Sequence, residues 1–97
     1  MTYKTLLELT SAEHHRWHEW FLEHEEAWAS AFGTGRMATV GSVILHIFGV
    51  ELRYVQRLLD QRVATWEELT QSSIEEVFEL GEDARALLVQ FLTDAPE

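Results

Sequence analysis

The segment EHHRWHEW, residues 13–20, sets two histidines four apart, His14 and His18, and a third, His46, stands in the apolar run SVILHIFGVELRYVQRLL, residues 42–59. Neutral imidazole is the commonest protein ligand for zinc, nickel and related ions. Residues i and i+4 of a helix project side by side, so the His14/His18 spacing suits two ligands to one ion. The same spacing describes a solvated surface pair balanced by Glu13 and Glu19. His46 also has two readings: a ligand at a groove edge, or a hydrogen-bonded histidine among Val, Ile and Phe. Glu51 lies on the apolar stripe one turn beyond Ile47, where an unpaired carboxylate is costly. Its candidate partners are Arg53, Arg57 and the histidines of the first helix.

These residues need helices to hold them. If the first two long helices run antiparallel about a turn near Thr34, partners carry numbers that sum to about 68. His46 is then level with Leu22 and within about 6 Å of His18 along the axis, and Glu51 is level with Trp17. A cluster of His18, His46 and Glu51 with His14 or His24 is sterically conceivable, although His46 and Glu51 differ by about 140° around their helix.

The periodicity predicts a first helix over about 11–31, with a stripe of Trp17, Phe21 and Trp28. A capping-box pattern, Thr10-x-x-Glu13, favours a break near Thr10–Ser11, with a turn or more before it, over a helix running straight from Tyr3. Gly33 and Gly35 of FGTG are suited to ending a helix in a left-handed turn. A second helix is predicted over about 37–60, buried along Val40, Ile44, Ile47, Glu51, Tyr54, Val55 and Leu58. TWEEL, residues 65–69, reads as a single turn capped by Thr65 and Glu68. A third helix opens at Ser72-Ser73 ahead of Glu75 and Glu76, with Ile74, Val77, Phe78, Gly81, Ala84, Leu88, Phe91 and Leu92 as its stripe. The expectation is one all-α domain over 1–97: an antiparallel up-down bundle of three main helices on short connections, completed by dimerisation.

Composition removes several function classes. A formal charge of −10, from 17 acids against 7 bases, opposes nucleic acid and anionic membrane partners. With no cysteine there is no disulfide framework, thiolate ligand or thiol nucleophile. No secretory pattern opens the chain and no run is long enough to span a bilayer, so a cytoplasmic location is expected. No Ser-His-Asp arrangement and no phosphate-cradling glycine loop stands out. The only proline, Pro96, is near the last residue.

GSVILHIFGVELRYVQRLL resembles the second helix of the DinB/YfiT-like four-helix-bundle proteins, in which a histidine is followed by a glutamate and then by aromatic, Arg and Leu positions. HHRWHEWFLEH, with Arg16-Trp17, resembles their first helix, and TWEELTQSSIEEVFELGEDARALLVQFL is similar to their connection and third helix. The resemblance implies a divalent metal, zinc or nickel, held by three histidines, and a homodimer. It also implies a relation to thiol S-transferases that use small thiols such as bacillithiol or mycothiol. On it, His46 matches the first ligand, and Glu51 takes a supporting or base role. The family's other two histidines form a His-x-x-x-His pair on a fourth helix, which this sequence, ending at Glu97, is expected to lack. His14 and His18 are the candidates to complete the set, although they lie on a different helix. The alternative expectation is a helical dimerisation module that catalyses nothing.

Overall fold

The computed structural model describes residues 2–94, so Pro96 and Glu97 lie outside the described residues. Three long helices, α1 (Tyr3–Glu23), α3 (Val40–Leu58) and α4 (Ile74–Asp94), pack together, with a short α2 (Glu25–Trp28) and 3₁₀ turns at Gly35–Met37 and Trp66–Glu68. Among the described residues there is no strand, only an isolated antiparallel bridge between Ala31 and Thr39.

α1 starts eight residues before the Thr10–Ser11 break read from the sequence. Thr2 is its cap, accepting from the Thr5 amide at 3.2 Å. Thr10 sits mid-helix, where its hydroxyl contacts the Leu6 and Leu7 carbonyls at 3.1 Å. Glu13, the would-be partner in the capping box, pairs with Arg16 instead. The helix also ends earlier than expected, at His24, whose Nδ1 lies 2.8 Å from the Trp20 carbonyl and whose ring stacks on Trp20. The step at His24 sends α2 across the bundle end. There the Trp28 indole donates to the Ser72 carbonyl at 3.0 Å and covers Gly41, where a Cβ would come within 2.5 Å of the ring. FGTG lies beyond the helix; Gly35, at φ +62°, opens the first 3₁₀ turn.

The capping chemistry farther along follows the sequence reading. Thr65 and Glu68 close a reciprocal box over the second 3₁₀ turn. Ser73 and Glu76 do the same at the start of α4. α3 is capped by an unforeseen pair, Thr39 and Ser42, each side chain accepting from the other's amide.

The arrangement of the long helices departs from an up-down bundle. α1 is antiparallel to α4, since Thr10 and His14 meet Arg85 while His18 meets Glu75. α3 and α4 are parallel: Phe48 lies against Phe78 and Gly81, Val55 shares a cleft with Ala84 and Leu88, and both N-termini meet Trp28. The connection 59–73 makes this possible by running back along α3. Ala64 accepts from Arg53 Nε at 3.0 Å and donates to Gln56 at 2.8 Å, and Trp66 and Leu69 then cover Gly49.

The core consists of Phe21, Phe48, Leu52, Leu69, Ile74, Val77, Phe78, Leu80 and Ala84, with Val77 fully buried. The expected buried stripe of α3 is largely its open one. Of the seven residues named for it only Val55 is buried, while Ile47, Tyr54 and Leu58 are exposed. α3 is apolar on two sides, and α4 closes the side whose shape fits. A Cβ at Gly81 would stand 2.8 Å from Phe48 Cδ2, so the absent side chain is what admits the phenyl ring.

Candidate functional site

Arg85 of α4 meets side chains of α1 and faces Glu51 of α3. Its guanidinium donates to the Thr10 hydroxyl, and Nη2 lies 3.3 Å from His14 Nε2. A guanidinium has only donors, so Nε2 of His14 accepts and its proton sits on Nδ1. Burial, then the Arg85 charge and then His15 lower the His14 pKa from its ordinary value, keeping this imidazole neutral near pH 7. Its ring packs 5.0 Å from Phe48.

One turn on, His18 stacks flat on Phe78, with ring centroids 4.7 Å apart. Its Nε2 is buried and 3.3 Å from Glu75 Oε2, a distance within ion-pair range but without hydrogen-bond alignment. The distance records which group is opposite; the alignment shows that the nitrogen is not committed to it. His14, His15 and His18 thus line one side of a cleft of about 370 Å³ between α1 and α4, with Ser11, Glu82 and Arg85 completing its wall.

His46 is elsewhere. It faces the returning connection, on the side of α3 away from Phe48, and stacks on Trp66 with centroids 4.8 Å apart and planes 8° from parallel. The structure therefore brings His14 and His18 together and leaves His46 apart from both. Among the described residues, no three His, Asp or Glu side chains converge as a metal site.

Glu51 is half-buried, and burial raises its pKa, an effect the Arg85 charge partly offsets. Its facing cation is thus Arg85 and none of the candidates read from the sequence. Arg53 turns toward the Ala64 carbonyl and holds its guanidinium 5.0 Å from the Trp66 ring centre. Arg85 was the functional residue missed. Its signal was a lone cation one turn past Gly81 on the stripe of α4, complementary to the lone acid on α3.

Glu51 and Arg85 form the floor of a second cleft, about 330 Å³, walled by Leu6, Thr10, Tyr54 and Val55. By helical spacing, Trp17 shares a face of α1 with Leu6 and Thr10, and Ile47 shares a face of α3 with Tyr54. Arg85 therefore separates a polar histidine seam from an apolar groove. The seam holds a neutral imidazole beside a guanidinium; the groove holds one carboxyl that burial makes reluctant to ionise.

Comparison with family models, with curated proteins and with solved structures finds no match.

Proposed function

We propose that this protein is a helical association module whose apolar groove between α1 and α3 is covered by a second copy of the chain. The observation that carries the reading is the open face of α3: Ile47 is 46%, Val50 48% and Tyr54 61% exposed. With Leu58, and with Leu6 and Trp17 of α1, these side chains leave apolar surface uncovered of the kind that fills the centre of a standard interface, where each partner contributes ~800 Å². Charge favours a like partner at this face. Residues 40–58 contain one acid, Glu51, against Arg53 and Arg57, so two chains of charge −10 can meet here with their other acids held apart. The DinB/YfiT-like resemblance is compatible, because homodimers come with it; family membership is part of the proposal.

Sedimentation equilibrium tests it. The expected result is a dimer at micromolar concentration, with Tyr54→Glu raising the dissociation constant by about a hundredfold or more while helicity is retained. A chain that is monomeric at all accessible concentrations would overturn the reading.

Divalent-metal binding is the second reading, favoured by the uncommitted, buried Nε2 of His18 beside Glu75. The three-histidine set with His46 does not fit, since His46 faces Trp66 and His14 Nε2 is engaged by Arg85. A zinc or nickel site here would centre on His18 and Glu75, and a metal-dependent reaction of a small thiol would depend on it. Metal content of untagged protein, beside His18→Ala, checks this reading; equal and negligible metal in both would remove it.

A further inference from the structure

We propose that the corner between the first half of α3 and the returning connection binds a compact oxyanion, a carboxylate or phosphate group, held by Arg36 and His46 against Trp66. The cleft there is about 200 Å³, lined by Arg36, Ser42, His46 and Trp66 with Leu45 and Leu69.

The distribution of charge is the first support. Four of the seven bases, Arg36, Arg53, Arg57 and Arg62, belong to α3 or to the loops beside it, in a chain whose net charge is −10. Two have structural engagements: Arg62 pairs with Glu68, and Arg53 donates to the Ala64 carbonyl while lying 5.0 Å from the Trp66 ring centre. Arg36 is different. Its guanidinium carbon is 5.9 Å from the same ring, its side chain is 59% exposed, and the facing acid, Glu67, is 4.0 Å away, the outer limit of an ion pair. Its donors are therefore available to a ligand in the cleft beside the indole.

His46 supplies the second contact. Its Nδ1 is buried with no hydrogen-bond partner. A buried N–H without an acceptor is the costlier way to leave that atom, so the proton belongs on Nε2, leaving that nitrogen as the ring's donor to the cleft. The Ser42 hydroxyl is not a third contact, because the Thr39 cap uses it as donor and acceptor. Ser42 does place the cleft beside the first turn of a 19-residue helix, whose positive end favours an anion. The electron-rich indole face is stacked by His46 and approached by Arg36 and Arg53, which leaves a guanidinium and an imidazole N–H to meet a small oxyanion beside the ring. They do not suit a cation, and the acidic remainder of the molecule disfavours a polyanion.

The test is titration of the full chain at low ionic strength with inorganic phosphate and, in parallel, malonate, with sodium chloride as the control for screening. Proton–nitrogen correlation spectra follow the Trp66 indole and the amides of Arg36 and His46. Saturable shifts with a dissociation constant of about 1–10 mM are expected for at least one oxyanion. Response to phosphate alone assigns a phosphate group; response to both assigns any compact oxyanion. Arg36→Gln, at an exposed loop position, is expected to weaken binding about tenfold, and Glu67→Gln to tighten it a few-fold. Shifts that chloride reproduces, or that Arg36→Gln leaves unchanged, overturn the proposal. It stands or falls independently of the groove, which lies on another side of α3.

Discussion

On one side of α3, Phe48, Leu52 and Val55 are closed against α4; on another, Ile47, Val50, Tyr54 and Leu58 are just as apolar and stand open. Hydropathy does not distinguish the two. Shape does: Gly81 and Ala84 give α4 a shallow surface into which Phe48 fits, while Tyr54 of the open stripe borders a groove that α1 lines without filling. Burial in a bundle goes to the face whose neighbour has the complementary relief, and a second apolar face is left open.

The largest expected effect tests the closed side. Phe48→Ala should destabilise the fold by about 3–5 kcal/mol, read from urea denaturation, because the cavity lies between Phe78 and Gly81 with little room to relax. Ile47→Ala, a large truncation on the open side of the same helix, should cost the isolated chain less than about 1 kcal/mol and appear instead as weaker association. Equal losses of monomer stability would erase the distinction between the two sides.

Arg85 is the hinge of the comparison between seam and groove, and its removal should move both flanking groups the same way. Arg85→Met is expected to raise the His14 pKa toward its ordinary value and to raise Glu51 further, measured by NMR titration. Opposite movements would show that Arg85 does not act on both. The two groups have opposite consequences for stability. The folded-state pKa of His14 lies below its unfolded value, so its contribution is present above about pH 6.5 and is lost as pH falls through the folded value. The folded-state pKa of Glu51 lies above its unfolded value, so its contribution is full below the ordinary carboxylate range and is lost as pH rises through the folded value. Glu51→Gln should therefore be more stable than the parent at neutral pH, with the advantage gone near pH 4. A variant less stable at neutral pH would indicate that the ionised carboxylate is a favourable partner of Arg85.

The smallest effect is local. Arg62 and the Thr65 cap hold the exposed Glu68 carboxyl down to about 2. Arg62→Ala should bring it part of the way back, leaving the share due to Thr65. Complete return would place the whole effect on Arg62.

Much of the architecture was legible because it is local. The Thr65/Glu68 and Ser73/Glu76 boxes depend on residues three apart, and both form. The three long apolar periods give three long helices. Of the eight positions named for the stripe of α4, Ile74, Val77, Phe78, Gly81 and Ala84 are buried, joined by Leu80, which was not named, while Leu88, Phe91 and Leu92 are half-buried. Where an equally local signal failed, a distant group competed. Thr10-x-x-Glu13 has the same pattern as the boxes that form, yet Thr10 receives Arg85 from 75 positions away and Glu13 turns to Arg16. The site was half legible for the same reason: the His14/His18 pair is a property of one helix, whereas the separation of His46 depends on which side of α3 faces Trp66.

The sequence by itself determined an acidic, cysteine-free, helical chain, the caps of its later elements and the pairing of His14 with His18, since each depends on composition or on residues within one turn. The tertiary structure alone decided that α3 and α4 run parallel, that Phe48 and not Ile47 is enclosed, that Arg85 answers Glu51, and that His46 lies on Trp66. Those outcomes depend on the course of residues 59–73 back along α3 and on the close approach allowed at Gly49 and Gly81. Apolar periodicity specifies that a face will be buried; only the relief of the opposing surface specifies which one.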